Sequence, residues 1–223
     1  MKNLLLLLAL VYSSPMFAQL KKESPIVGIQ KEKFSLAVIG GLNISKMPFN
    51  VPKTSSGLVI PSTKSEYAYF GGLSARQPIN HRFAALLDLT YSIRGYRYSL
   101  PNETSRFRFD YFDFAPQVEY KVFKNIYLSL GGYLGFRTKE HAKIGAGEWF
   151  TVNPELVKFA TDTDFGIMPG LTVRFERVSI MARYQHGLTP AGSVDLSNEL
   201  GDQIGTVERR NRTFQFGIGF RIL

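Results

Sequence analysis

The chain has 223 residues, of which 44% are hydrophobic and 13% aromatic, and this aromatic content excludes an intrinsically disordered chain. The formal net charge of +9 suits contact with anionic surfaces, but 18 acidic residues lie among the 27 bases, so no basic stripe for nucleic acid is predicted. A mean hydropathy of −0.06 excludes a helical membrane protein, and the lack of cysteine excludes a lipoprotein and a disulfide-stabilised fold.

The first 18 residues are predicted to be a secretory signal peptide. Lys2 precedes the apolar run Leu4–Val11, and the small residue Ala18 stands before the polar Gln19. The run is too short for a helix that spans a membrane. Residues 19–32 are polar and are predicted to form a short leader, and residues 33–223 a single domain.

Alternation of apolar and polar residues with a period of two predicts that this domain is built from strands. The predicted strands, in chain order, cover residues 34–44, 67–77, 82–98, 106–122, 126–136, 163–175, 178–188 and 213–222. Residues 45–66, 138–160 and 189–211 are predicted to be long loops, and residues 100–105 a turn of medium length. Glu176 and Arg177 predict a two-residue hairpin turn.

Two positions in the fourth predicted strand suggest irregular pairing. The apolar parity changes at Tyr111-Phe112, which predicts a β-bulge there. Pro116 lacks a backbone N–H in the middle of the strand, so imperfect pairing is expected around it.

Eight strands of similar length predict an up-and-down barrel. Such a barrel is either soluble with an apolar interior or membrane-embedded with an apolar exterior. One parity carries bulky apolar residues and almost no glycine: Phe112, Phe114, Leu128, Leu130, Leu134, Phe214, Phe216 and Ile218. The other parity mixes charged residues with small ones: Gly131, Gly135, Gly166, Gly170, Gly217 and Gly219. A narrow interior filled by side chains needs such mixing of small and long residues, and a charge facing lipid would cost about 2–4 kcal/mol at the midplane.

The sequence therefore predicts an all-β fold, an eight-stranded antiparallel up-and-down transmembrane β-barrel, in the outer membrane of a Gram-negative cell. The termini are expected in the periplasm, on the side of the short turns. Aromatic residues are expected to form girdles at both membrane interfaces. They are Tyr67, Tyr69, Tyr96, Tyr98, Phe107 and Tyr111 at the loop end, and Phe83, Tyr120, Phe123 and Phe175 at the turn end.

Several segments together resemble the PorT-type outer-membrane β-barrel family of Bacteroidota. They are Asp164-Phe-Gly with Gly170-Leu-Thr-Val, Ile180-Met-Ala-Arg-Tyr-Gln-His-Gly-Leu188, Tyr127-Leu-Ser-Leu-Gly-Gly-Tyr-Leu-Gly135 and Asn211-Arg-Thr-Phe-Gln-Phe-Gly-Ile-Gly-Phe220. The resemblance implies the fold and the outer-membrane location. The family's namesake takes part in protein secretion across the outer membrane, whereas most members have no assigned role.

Charged residues of the inward parity are predicted to form a polar network in the lumen. They are Asp88, Arg94, Asp113, Glu119, Asp164, Arg174, Arg183 and Arg221. A packed salt-bridge core is favoured, and a path for protons or ions is the alternative. The cluster Glu208-Arg209-Arg210-Asn211-Arg212 is predicted either to contact anionic lipid headgroups or to be a solvated loop base.

No catalytic, cofactor-binding or metal-binding residue is predicted. His81, His141 and His186 have no second ligand or base at motif spacing, and a hydrolase built on His186 and Asp195 is a minor alternative. The expected function is a structural or interaction role through the outer loops, with a role as a secretion accessory included, and the alternative is a small pore or transporter. The expected partners of this monomeric barrel are outer-membrane lipid, lipopolysaccharide and envelope or secretion proteins.

Overall fold

The computed structural model describes residues 33–50, 63–100, 103–153, 161–197 and 203–223. The predicted signal peptide and leader lie outside these residues. The described residues form twelve strands: β1 (Ser35–Lys46), β2 (Phe49–Asn50), β3 (Thr63–Pro78), β4 (Phe83–Leu100), β5 (Glu103–Lys121), β6 (Ile126–Ile144), β7 (Phe150–Thr151), β8 (Thr163–Arg174), β9 (Val178–Gly187), β10 (Gly192–Ser197), β11 (Gln203–Arg209) and β12 (Arg212–Arg221). The described residues contain no helix long and apolar enough to cross a membrane.

Eight of these strands form a closed antiparallel barrel. Around the barrel, β1, β3, β4, β5, β6, β8, β9 and β12 each pair with the next one, and β12 pairs with β1. Val38 of β1 stands opposite Phe220 of β12 at this closure. Each strand therefore pairs with its neighbours in sequence, and the predicted eight-stranded up-and-down barrel is confirmed.

The bulky apolar parity faces outward. Leu42, Leu130 and Ile218 are 65%, 62% and 65% exposed, although each lies inside a strand that is paired on both sides. The opposite parity is buried and polar, with Asn43 and Arg94 both inaccessible to solvent. An apolar exterior around a polar interior is the arrangement of a barrel embedded in lipid, because lipid replaces water as the outer solvent.

The two ends of the barrel differ. At the turn end, short connections join β3 to β4, β5 to β6 and β8 to β9, and the Phe175 N–H donates to the Val178 carbonyl across the predicted two-residue turn. At the loop end, the predicted loops prove to contain strand structure. β6 continues to Ile144, and β10, β11 and β2 form a second, three-stranded sheet. Within the described residues, predicting these stretches as loops was wrong. The ends of β1, β3 and β6 continue past the apolar belt, which is the band of outward-facing apolar residues around Leu42, Leu130 and Ile218, and β2, β10 and β11 are strands of their own. Residues 51–62, 154–160 and 198–202 of the predicted loops lie outside the described residues.

The bulge predicted at Tyr111-Phe112 was assigned to the wrong strand. β5 keeps one inward parity along its whole length, and the extra residue is Thr138 of β6, since Asp110 pairs with Lys139 and Tyr111 with Arg137. The apolar parity changes because the polarity of the two faces reverses beyond the belt. Outward positions there lie beyond the lipid tails and are polar.

The irregular pairing predicted at Pro116 is confirmed. In the ladder between β5 and β6, Phe114 pairs with Leu134 and Gln117 with Gly131, while Ala115 and Pro116 are skipped. The ladder resumes in the same register, so the proline interrupts the hydrogen bonds without shifting the strands.

Candidate functional site

Arg94 stands at the centre of a buried polar cluster inside the barrel. Its guanidinium group lies 2.7 Å from Asp164 and also pairs with Asp113, and these three side chains are at most 1% exposed. The Tyr133 hydroxyl donates to Asp164 over 3.1 Å, and the Asn211 amide donates to the same oxygen over 2.8 Å. The cluster therefore links β4, β5, β6, β8 and the residue that precedes β12.

Two tyrosine rings and one glycine shape the space around Arg94. The guanidinium carbon lies 4.7 Å from the centre of the Tyr111 ring and 5.0 Å from that of Tyr133, within the range of cation–π attraction. A Cβ atom at Gly135 would stand 2.7 Å from an oxygen of Asp113. Gly135 therefore leaves the room in which the charged cluster fits.

A second group of polar residues lies around Asp88. Its carboxylate is 2.8 Å from Arg183 and accepts a hydrogen bond of 2.7 Å from the Gln117 amide. The Ser129 hydroxyl in turn donates to Gln117 over 3.0 Å. These side chains connect β4, β5, β6 and β9 in the interior.

The third group lies near the turn end, where Glu119 pairs with two arginines. Its carboxylate is 2.6 Å from Arg76 and 2.8 Å from Arg174, and it is 1% exposed. The Tyr127 ring lies below both guanidinium groups, at 4.4 Å from Arg174 and 5.5 Å from Arg76. Four arginines and four carboxylates thus meet in the three groups, and each carboxylate has a cationic partner.

Arg221 does not join these groups. Its side chain is exposed at the turn end and forms no ion pair with the described residues. It lines a cavity of about 40 Å³ between Arg174, Arg183 and the turn at Glu176 and Arg177. The structure therefore brings seven of the eight predicted lumen residues into contact with a partner of opposite charge and leaves Arg221 at the mouth.

An aromatic cluster fills the interior at the loop end. Tyr96, Phe107, Phe109 and Tyr111 are at most 6% exposed and pack together, with ring centres of Tyr96 and Phe107 5.1 Å apart. Assigning Tyr96, Phe107 and Tyr111 to an outer girdle was therefore wrong, since beyond the belt the apolar side chains point inward, away from water. Arg209 of β11 donates to the Tyr96 hydroxyl from above the cluster.

The other predicted girdle residues mostly face outward. Tyr67 and Tyr69 are 57% and 58% exposed at the loop end. Phe83, Phe123 and Phe175 are 41%, 71% and 52% exposed at the turn end. Tyr98, in contrast, is half-buried against the aromatic cluster. The Phe83 ring packs in a tilted arrangement against the ring of Tyr120 on the neighbouring strand, with their centres 5.0 Å apart.

Some members of the network were not predicted from the sequence. Arg76, Gln117 and Tyr133 lie on the inward parity that the alternation indicates, so taking every inward polar residue would have found them. Arg209 and Asn211 lie in a segment predicted as a loop, and no periodicity points to them.

The segment Glu208–Arg212 does not act as one cluster. Arg209 and Asn211 are buried in the interior, whereas Arg210 forms an exposed 3.2 Å pair with Glu208. Arg212 is exposed and stands opposite Lys46 and His186 in the neighbouring strands. Arg209 and Asn211 therefore neither contact lipid headgroups nor form a solvated loop base, and both predicted roles are wrong for these two residues.

The three histidines lie outside the lumen network. His186 contacts the Tyr184 hydroxyl at 3.4 Å and has no carboxylate partner among the described residues, which do not include the side chain of Asp195. His141 lies 3.3 Å from Asp110 and 3.4 Å from Thr151, longer than the hydrogen bonds usual between a nucleophile and its base. His81 is exposed in the turn between β3 and β4. No group of three metal-binding side chains occurs in the described part of the chain.

Comparison with known proteins agrees with this architecture. A family model described as outer membrane protein beta-barrel domain matches residues 17–192, which is more than half of the chain. The chain belongs to this family. It is therefore an outer-membrane β-barrel protein, and the lipid that surrounds its apolar belt is that of the outer membrane.

Solved structures of low sequence identity are similar to this outer-membrane barrel. Ail, the attachment invasion locus protein of Yersinia pestis, is 15% identical with a TM-score of 0.45, over 86% of this chain and 100% of Ail. Neisserial surface protein A is 16% identical with a TM-score of 0.47, over 85% and 99% of the two chains. OprG from Pseudomonas aeruginosa is 10% identical with a TM-score of 0.38, over 87% and 99%. No curated protein sequence matches the chain.

Proposed function

We propose that this protein is a closed, non-conducting outer-membrane barrel that acts as an interaction protein through the surface at its loop end. The observation that carries the proposal is the blocked interior. Arg94, Asp113 and Asp164 meet inside the barrel and are almost inaccessible to solvent. The aromatic cluster around Phe109 lies between them and the loops. A small pore needs a hydrated lumen, and these side chains occupy that space.

The loop end offers a structured surface for a partner. The three-stranded sheet of β2, β10 and β11 lies there, and Arg209 and Asn211 connect its base to the barrel interior. A surface held by buried contacts loses less conformational entropy when it binds a partner than a free loop does. Envelope or secretion proteins are the proposed partners of the monomeric barrel, and outer-membrane lipid and lipopolysaccharide surround it. We also propose that the chain belongs to the PorT-type family, that it acts as an accessory in protein secretion and that it has no catalytic activity.

The proposal also places the loop end outside the cell and both termini in the periplasm. Short turns at one end and long connections at the other support this orientation, which outer-membrane barrels share. Because the chain has no cysteine, cysteines introduced one at a time can report the orientation of the barrel in the membrane. A membrane-impermeant thiol reagent should label Glu148→Cys at the loop end in intact cells. It should label Lys124→Cys at the turn end only after the membrane is permeabilised.

Conductance measurements test the blocked lumen directly. Purified protein inserted into planar lipid bilayers should give no steady single-channel current. Steady currents from a correctly folded preparation would overturn the proposal and favour the pore or transporter.

A further inference from the structure

One row of basic side chains crosses four neighbouring strands at the loop end. Lys64 of β3 stands opposite Arg97 of β4, Arg97 opposite Arg106 of β5, and Arg106 opposite Lys143 of β6. Arg106 shares its parity with the outward-facing Phe112, and residues that stand opposite each other in a sheet project from the same face. These four residues, the basic row, therefore lie on the outer surface of the barrel.

The charges of the row are poorly balanced within the protein. Like charges directly opposite each other destabilise a sheet, and here three such pairs follow one another. Glu66 is the only carboxylate that pairs with the row in the described structure, at 3.3 Å from Arg97 and 3.2 Å from Arg106. Lys64 and Lys143 form no ion pair with any described residue.

Glu66 has a further arginine partner beside the row. Arg108 lies 2.8 Å from the Glu66 carboxylate, so three arginines share one acid that is itself inaccessible to solvent. The three arginine side chains remain 28–33% exposed. Glu66 therefore holds the three guanidinium groups in position, but its single negative charge balances only one of their three positive charges. The exposed sides of the guanidinium groups can bind an external anion.

The height of the row points to the headgroup layer of the membrane. Arg108 and Arg106 precede Phe112 of the apolar belt by four and six residues on β5, which corresponds to about 10–15 Å along the membrane normal for a strand tilted by about 40°. Long basic side chains at this height reach the polar headgroups. Trp149 stacks at 4.4 Å on Arg108, and aromatic rings favour the same interfacial depth.

We propose that the basic row binds the phosphate groups of lipid A, the glycolipid anchor of lipopolysaccharide, in the outer leaflet. Guanidinium groups bind phosphate through paired, charge-assisted hydrogen bonds, and the flanking lysines add point charges. The row projects from the outer wall of the barrel, next to the lipid-facing belt of the same strands. The anion that it binds is therefore the phosphate headgroup of a membrane lipid. This step rests on the proposed orientation, which places the loop end in the outer leaflet.

The test variant is Lys64→Gln/Lys143→Gln, which removes the lysines at the two ends of the row, neither of which pairs with a described carboxylate, and leaves the three arginines around Glu66 intact. The matched control is Arg82→Gln/Lys124→Gln, which removes two exposed cations at the turn end that pair with no described carboxylate. Binding of phosphorylated lipid A, and of the same lipid A after removal of its phosphates, is measured by native mass spectrometry of the full chain in detergent micelles.

The wild type should bind the phosphorylated lipid A better than the dephosphorylated form. The test variant should lose about tenfold or more in affinity for the phosphorylated form, while the control stays within about twofold of the wild type. Equal binding of both lipid forms, or an unchanged test variant, would overturn the inference. Tighter binding of soluble heparin than of lipid A would reject a lipid as the occupant.

This measurement is independent of the tests of the proposed function. A steady current, or labelling of Lys124→Cys in intact cells, would overturn the closed barrel or its orientation without changing lipid binding in micelles. Loss of lipid A selectivity in a non-conducting barrel of the proposed orientation would overturn only the role of the basic row.

Discussion

Arg94 of β4 and Asp164 of β8 form a fully buried 2.7 Å ion pair across the interior of the barrel. Their strands are not neighbours, because β5 and β6 lie between them in the sheet. Asp113 of β5 pairs with the same guanidinium group. One arginine therefore connects strands that the backbone ladder does not join directly, and it balances two carboxylates in a space without solvent access.

Removal of Arg94 should destabilise the barrel strongly. The substitution Arg94→Met leaves Asp113 and Asp164 buried near each other without a cation, and breaking a buried ion pair in this way costs about 3–5 kcal/mol. The free energy of unfolding can be measured by urea titration in lipid vesicles, with the faster migration of the unheated protein on a gel as the readout of folding.

The control for this prediction removes the two carboxylates as well. The triple variant Arg94→Met/Asp113→Asn/Asp164→Asn has no buried charge at the site and should recover part of the lost stability. A single variant as stable as the wild type would show that the buried pair contributes little to folding.

Gly135 and Gly132 should respond differently to the same small substitution. In Gly135→Ala the new methyl group would lie 2.7 Å from Asp113 and 3.3 Å from the Tyr111 ring, so the cluster must move, at a cost of about 1–3 kcal/mol. In Gly132→Ala the nearest atoms are 3.5 Å away, an ordinary contact. Equal unfolding free energies of the two variants, measured by the same urea titration, would contradict the close packing around Arg94.

Arg209 should hold β11 against the barrel. Its side chain is 4% exposed and donates to Tyr96, whereas the neighbouring Arg210 is exposed. In Arg209→Ala, the backbone amides of β11 should exchange with deuterium faster than in the wild type, while those of β5 stay protected. Arg210→Ala is the matched control and should exchange like the wild type. Unchanged protection in Arg209→Ala would mean that the contact with Tyr96 does not anchor the strand.

The sequence predicts the membrane-embedded part of this fold well, for a physical reason. Lipid requires an apolar residue at every outward position, so alternation identifies both the strand and its outer face. Leu128 and Leu130 of β6, for example, are exposed as predicted, and Tyr127 and Ser129 between them are buried. This alternation predicts all eight barrel strands.

The same rule fails where the strands leave the membrane. Arg106 and Arg108 face outward there and Phe107 and Phe109 inward, which is the reverse of the order within the belt. An alternation that reverses its polarity is easily taken for a bulge or for the end of a strand. This explains both the misplaced bulge in β5 and the missing ends of β3 and β6.

The lumen residues could be predicted as a set, but their partners could not. Parity shows that Arg94 and Asp164 face the interior, yet they are 70 positions apart in the chain. Which base meets which acid depends on the stagger of strands around the whole barrel, and this is a property of the closed sheet. Arg221 shares the inward parity but lies at the end of its strand, where the interior is open.

A charge introduced on the outer face of the barrel tests whether this face contacts lipid or water. Leu130 is 62% exposed on β6, in the middle of the apolar belt. In lipid vesicles Leu130→Arg should lower the free energy of unfolding by about 2–4 kcal/mol, because the guanidinium group must leave water near the bilayer midplane. Leu130→Met is the matched control and should stay close to the wild type. At an exposed site in a water-soluble barrel the same arginine would change the stability by only about 0.5 kcal/mol. Equal folding of the arginine variant and the wild type in vesicles would therefore mean that Leu130 does not face lipid.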